Sequence, residues 1–401
     1  MTKKLTKPIA FLSAVAMLMT MLLYLPSSVF SDIGLGLSAN AAEITPTEPS
    51  KDESGVYQIT TAAELYWFAG LVNGTLDGVS QNTSANAKLI NDITVNENLL
   101  ASLEYGADGN VTNGASFTSW TPIGITHTYS YNGTFNGNGK TISGLFCDKS
   151  TTDYIGLFGY IGSGKVTDVK VADSYFRGRY FVGGVCGRNG SGAITNCGNS
   201  GKVVGTEFVG GVCGDNDETA KDLTGCYNEG TVFGSGECIG GVCGESAVGI
   251  SGCYNTGSVS GNDSVGGVCG IAYGEAINCY NTGYIIGSGN RIGGVCGSTN
   301  SANAKITNCY NTGNVTSTVE DETHIGGVCG LFIGEMTGCY NTGSVSSLGN
   351  NVGGVCGLVS GTVKNCYSLG DVSGKTGVGG VCGWTETDSM TVNCYSLGGV
   401  S

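Results

Sequence analysis

Apolar residues recur along most of the chain in a fixed order rather than at helical spacing. Val or Ile stands immediately before Gly-Gly at Val182, Val209, Ile239, Val265, Ile292, Ile325, Val352 and Val378. A second apolar position falls at Ile194, Leu223, Ile250, Ile306, Met336 and Val363, and a third at Val203, Val232, Val259, Ile285, Val315, Val345, Val372 and Val400. Three short apolar segments per repeat, separated by Gly and Asn, predict strands joined by sharp corners. Before the repeats, Val56-Tyr57-Gln58-Ile59 predicts a strand. Thr61 and Glu64 then form a capping-box pattern ahead of Leu65, Phe68, Ala69 and Val72, which predicts one short helix ending at Asn73-Gly74.

The repeat unit is Gly-Gly-Val-Cys-Gly, present eight times with its Cys at 186, 213, 243, 269, 296, 329, 356 and 382, so successive copies lie 26 to 33 residues apart. Each copy is followed by a second Cys, giving Cys197, Cys226, Cys253, Cys279, Cys309, Cys339, Cys366 and Cys394 as partners of Cys186, Cys213, Cys243, Cys269, Cys296, Cys329, Cys356 and Cys382. Gly lies four residues after every second Cys, and Asn, Gly or Asp lies immediately before it; these residue types tolerate positive φ at a bend. A 27-residue unit with three strands cannot bury its apolar side alone and must stack on its neighbours. The predicted fold is all-β: a parallel, three-sided β-helix or solenoid of about ten coils, one coil per repeat, with strands ~4.8 Å apart. The rule for parallel crossovers makes a right-handed coil the expectation. Insertions fall only between the strand segments, at 214–225, 297–308, 316–324 and 383–393.

The division expected is a signal peptide over 1–41, a linker over 42–54, an N-terminal strand–helix cap and lead-in strands over 55–132, and the repeats over 133–401. Lys3, Lys4 and Lys7 precede an apolar run from Ile9 to Leu25, and Ala39-Asn40-Ala41 supplies a cleavage site. The rival reading, an uncleaved anchor, is disfavoured because the run is at the short limit for a span. Cleavage removes three Lys and Asp32, moving the net charge from −14 to −16. That acidity argues against a nucleic-acid partner. At the other end, Val400-Ser401 lies in the third strand of a coil with no cap, so the expectation is either a truncated gene product or an end that docks on something, end-to-end self-association at exposed strand edges included.

Gly156-Leu157-Phe158-Gly159, the Gly-Gly-Val-Cys-Gly series and Asn-Cys-Tyr-Asn-Thr-Gly resemble GLUG-motif repeats, as do the lead-in stretches Leu89–Ile93 and Trp120–Gly124. The resemblance covers about two thirds of the chain and departs from the motif in its third-position Cys. It implies a secreted or surface-attached bacterial protein, adhesin-like, since such repeats occur in adhesins and in the non-catalytic part of some immunoglobulin A peptidases.

The sixteen periodic cysteines fit no metal site, because zinc and iron–sulfur ligands come in closer spacings. They are read as structural. Disulfides and buried free thiols both remain open; adjacent-coil cysteines would carry parallel rather than converging side chains, which favours thiols. Cys147 and Cys238 break the period and are candidates for separate pairing. Tyr254, Tyr280, Tyr310, Tyr340 and Tyr367, with Tyr227 and Tyr395, predict a vertical stripe. A self-packing ladder is the simpler account of it; a strip that stacks on sugar rings is the functional alternative. The following Asn predicts a hydrogen-bonded ladder.

Catalytic signals are weak. Gly137–Thr141 resembles the end of a phosphate loop, but Thr134 stands where its first Gly belongs. Acidic residues are read as solvated loops, at 215–218 and 320–322, without calcium-repeat spacing. No catalytic residue, metal or cofactor is assigned. The expectation is a non-enzymatic secreted or cell-surface scaffold contacting an extracellular protein or glycan through corner loops, with no membrane span after signal cleavage. The alternative is a polysaccharide-active β-helix lyase or hydrolase, which requires two carboxylates within about 10 Å in a cleft.

Overall fold

The computed structural model describes residues 41, 43–320 and 323–401. The proposed signal segment therefore lies outside the described residues, Ala41 excepted. No helix of the described residues is long and apolar enough to cross a membrane. The chain forms a parallel β-solenoid of about 12 turns. Two turns more than the sequence suggested come from the lead-in: Tyr57–Ile59 pairs in parallel with Ala87–Leu89, and Ala87 with Phe135, so the ladder begins before the repeats.

The long helix of the described residues, α1 (Ala62–Asn73), starts where the capping box placed it. Glu64 N–H donates to Thr61 Oγ1 (3.3 Å), Thr61 N–H donates to Glu64 Oε2 (3.1 Å), and Gly74 closes the helix in the left-handed conformation at φ 70°. Leu65, Phe68, Ala69 and Val72 are buried, and Phe68 packs on Tyr131 and Phe135 at the N-terminal end of the solenoid core.

Each repeat holds the three predicted apolar segments, two of them cut by a bend, so a coil reads as five short strands. In one coil these are Glu237–Gly240, Cys243–Ser246, Ile250–Ser251, Tyr254–Asn255 and Val259–Gly261. The bend before the second Cys is the expected left-handed one: Asn196, Asn278, Asn308, Asn365 and Asn393 have φ 52–54°, while Gly225, Gly252 and Gly338 take the same place at 60–67°. The Gly four residues after that Cys has another cause. It is not left-handed; its Cα faces the carbonyl of the equivalent Gly one coil earlier, and any Cβ would overlap that oxygen, as at Gly283 against Gly257.

The interior is made of columns in strict register. Cys186, Cys213, Cys243, Cys269, Cys296, Cys329, Cys356 and Cys382 pair strand to strand, and Phe158 occupies the same position one coil earlier. A small thiol thus fills, coil after coil, a space that the N-terminal end fills with aromatic rings. All eighteen cysteines are free, and sixteen are buried. The second column has a further job. The N–H of Cys226, Cys279, Cys309, Cys339 and Cys366 donates to the sulfur of the next coil's Cys at 3.3–3.4 Å. The left-handed bend takes this N–H out of the strand ladder, and the neighbouring thiol sulfur is the acceptor within reach.

Burial raises the thiols of Cys186, Cys197, Cys243, Cys296, Cys329 and Cys356, and it pushes Cys147 and Cys382 up to about 11. Iodoacetamide should therefore label all eighteen thiols of the chain unfolded without reductant. On the folded protein only Cys382 and Cys394, the two that are half-buried, should react readily. Unlabelled cysteines in the unfolded, unreduced chain would mean disulfides and would overturn this packing.

Candidate functional site

The tyrosines singled out by sequence form one column. Tyr227, Tyr254, Tyr280, Tyr310, Tyr340, Tyr367 and Tyr395 stack face to face with ring centroids 4.9–5.2 Å apart and planes within 9° of parallel. In-register parallel pairing imposes this: Tyr280 is opposite Tyr310, and Tyr310 opposite Tyr340. Sugar stacking needs a free ring face. Tyr254, Tyr280, Tyr310, Tyr340 and Tyr367 have both faces covered by neighbours, so what they turn to solvent is the hydroxyl-bearing edge. Tyr227 and Tyr395, at the ends of the column, each stack on one ring of it.

Inside this column runs the predicted Asn ladder. Asn199, Asn228, Asn255, Asn281, Asn311 and Asn341 are fully buried, and each of the first five passes an amide N–H to the next coil's Oδ1 at 2.7–2.8 Å. Asn341 reaches Ser368 Oγ instead, at 3.4 Å.

A second constellation, not singled out as a site by sequence, lies away from this column. The closing Gly of Gly-Gly-Val-Cys-Gly lies against the backbone of the preceding strand; a Cβ on Gly244 would sit 2.7 Å from Cys238 O, and one on Gly270 2.5 Å from Ile239 N. This close approach folds two sheets into a narrow outer notch. One wall carries Phe181, Phe208, Cys238, Ser264, Arg291 and Asn351, all left-handed at φ 50–61°. Such backbone strain can mark an active site. Here it repeats coil after coil, so it belongs to the architecture.

The other wall carries the residue two after each motif Cys, including Arg188, Asp215 and Glu245. Arg188↔Asp215 and Asp215↔Glu245 lie opposite each other in register on adjacent coils. Arg188 Nη2 donates to Asp217 Oδ2 (2.7 Å), and its Nε lies 2.9 Å from Asp215 Oδ2, an ion pair whose N–H is not aimed at the oxygen. Cys238 Sγ is 3.6 Å from Glu245 Oε2. Asp215 is on strand Cys213–Asn216 and 5% exposed, not in a solvated loop as the sequence reading had it. The signal was available: Arg188 and Asp215 are one repeat apart, at an outward position.

Burial pushes the Asp215 carboxyl up to about 7, with Arg188 pulling it down and Cys213, Glu245 and Asp217 adding to the rise. Burial likewise raises Glu245, and burial with the Glu245 charge raises the Cys238 thiol. Asp215, Glu245 and Cys238 are thus all biased toward their protonated forms, which disfavours the Cys238 thiol as a nucleophile. Between the unfolded value of about 3.9 and the folded value, Asp215 binds more proton folded than unfolded. Its contribution is fully present below about pH 4 and is lost as pH rises through about 7. Asp215→Asn should flatten the stability profile between about pH 4 and pH 8. Urea midpoints across that range check it, and an unchanged slope contradicts it.

Among the described residues no three His, Cys, Asp or Glu side chains are placed to hold one metal ion. No family model matches the chain. Halomucin of Haloquadratum walsbyi is 31% identical over 140 residues, which is 34% of this chain and 2% of that protein. The chain thus spans a small fraction of the length of the curated relative it matches. The crystal structure of a putative immunoglobulin A1 protease from Bacteroides ovatus aligns over 88% of this chain and 87% of its own, at 17% identity and a TM-score of 0.41.

Proposed function

We propose that this protein is a non-enzymatic bacterial scaffold, secreted or held at the cell surface, that binds an extracellular protein or glycan through loops on one corner of the solenoid. The observation that supports this reading is where variation is allowed. Side chains along the faces are spent on self-stacking columns, while three of the four insertions, 217–222, 300–304 and 386–389, follow the same strand in the second, fifth and eighth motif coils. Three coils at ~4.8 Å each space these loops ~14 Å apart along one corner. Their residues are mostly exposed, with Ala220 and Ala304 tucked in as anchors. Repetition builds a stiff rod, and interrupted repetition decorates it.

The test is loop replacement: residues 217–222 exchanged for 247–249, the short link of the next coil, and the variant compared with the parent on arrays of glycans and extracellular-matrix proteins. Loss of a binding signal with the circular dichroism spectrum unchanged supports the corner. A signal that survives removal of all three loops overturns it.

The polysaccharide-active reading keeps one specific support, the Asp215–Glu245 pair on adjacent coils of the notch. Against it stands Asp215's burial under Arg188. Turnover of any glycan that Asp215→Asn and Glu245→Gln both abolish would establish the enzyme and displace the scaffold reading.

A further inference from the structure

The tyrosine column has a chemical property that its packing role does not use. Six consecutive contacts hold seven phenols at about 5 Å with their rings superimposed and their edges at the surface. Register pairing places each tyrosine opposite its counterpart on the next strand, and the ring planes of the pairs lie within 9° of parallel. The other Tyr–Tyr contact among the described residues, Tyr154 with Tyr160, is edge-to-face at 67° and 5.6 Å and lacks this alignment.

We propose that the column is a site of oxidative tyrosine coupling, in which one-electron oxidants generated from peroxide join neighbouring coils through dityrosine. Each of two adjacent phenols loses one electron and its hydroxyl proton. The two phenoxyl radicals form a carbon–carbon bond between their ortho positions. The hydrogens on those carbons then move to the oxygens as the rings regain aromaticity. The pair loses two hydrogen atoms in all, and hydrogen peroxide takes both, becoming two molecules of water. Proximity favours this route over coupling between molecules: a neighbour held in place acts as an intramolecular partner at very high effective concentration. The stack also lets an oxidation event at any one ring find a partner above or below it. The bond is a covalent rung between coils, formed without the sixteen thiols that are buried away from the oxidant.

The experiment treats dilute folded protein with a heme peroxidase and hydrogen peroxide and measures dityrosine fluorescence and mass. The expected result is coupling whose yield per chain is independent of protein concentration, with digestion giving linked peptides that contain register neighbours such as Tyr280 and Tyr310. The staggered variant Tyr254→Phe, Tyr310→Phe, Tyr367→Phe keeps every ring but leaves no two tyrosines adjacent, and its dityrosine should fall to the unoxidised background. A control lacking Tyr105, Tyr129 and Tyr154, each changed to Phe, removes as many tyrosines and should retain the full yield. Equal yields from the staggered variant and the parent overturn the proposal. So do linked peptides in the parent that join tyrosines outside the column, a readout independent of how well any variant folds.

Discussion

Gly267→Ala should unfold the middle of the solenoid, whereas Gly252→Ala, fifteen residues earlier, should leave it folded. The two glycines are needed for different reasons, and the magnitudes separate them. A Cβ on Gly267 would overlap the Gly294 carbonyl oxygen and the Asn281 amide carbon and lie 2.7 Å from Asn281 Cβ. Those atoms belong to the next coil and to a buried ladder, so relief requires separating stacked strands over several coils. Overpacking in a core usually costs about 1–3 kcal/mol, and a clash with backbone that is itself hydrogen-bonded lies at or above the top of that range. Gly252 instead has φ 60° with no atom within 4 Å of its Cβ position. Alanine there incurs only the left-handed penalty of about 1–2 kcal/mol, and Asn, found at that bend in other coils, should cost less. Urea unfolding followed by circular dichroism distinguishes the pair. Equal losses at both sites would show that close approach between coils is not what demands glycine.

Removing one rung of the asparagine ladder is the second large effect expected. Asn281 Oδ1 accepts from Asn255 Nδ2 (2.7 Å) and Gly283 N (3.2 Å), while its Nδ2 donates to Asn311 Oδ1 (2.7 Å) and Gly283 O (2.9 Å). Asn281→Ala strips Gly283 of both partners and breaks the chain of amides into two halves. Each buried group left unsatisfied costs about 1–3 kcal/mol, so a loss of about 3 kcal/mol or more is expected. Asn281→Asp tests direction as well as size. It keeps the shape but turns an acceptor toward Gly283 O and Asn311 Oδ1, so the carboxyl must stay protonated to donate. Its folded-state pKa is then raised, and the variant should hold at low pH and lose stability as pH rises through that value. A variant as stable as the parent at neutral pH would mean that water reaches the ladder.

Much of this architecture is legible in the order of the residues. The period of the cysteines and the Val-Gly-Gly step implied stacked coils, because a unit that cannot bury its own apolar side has to bury it on its neighbour. The helix start at Thr61, the left-handed Asn before each second Cys, and the tyrosine and asparagine columns follow from residue type and spacing alone. In-register stacking then does the rest, by placing identical residues above one another. Other features escape a linear reading for a common reason. The charge of Asp215 suggests a solvated loop, yet its surroundings are set by Gly214 and Gly244, which let two sheets close around it. Tyr57–Ile59 and Ala87–Leu89 carry no repeat motif, so nothing in the linear pattern shows that these lead-in strands join the same ladder as the repeats.

Residue order is enough to set the repeat, the coil and the contents of each column, since those depend on local propensity and on translation by one period. Tertiary structure alone decided which glycines are bends and which are contact points. It also decided that the tyrosines spend their faces on each other, that the second-column sulfurs accept orphaned N–H groups, and that Arg188, Asp215 and Glu245 share a notch. Each of these depends on distances between backbones one coil apart, and a linear pattern carries the order of residues but not the gap between them.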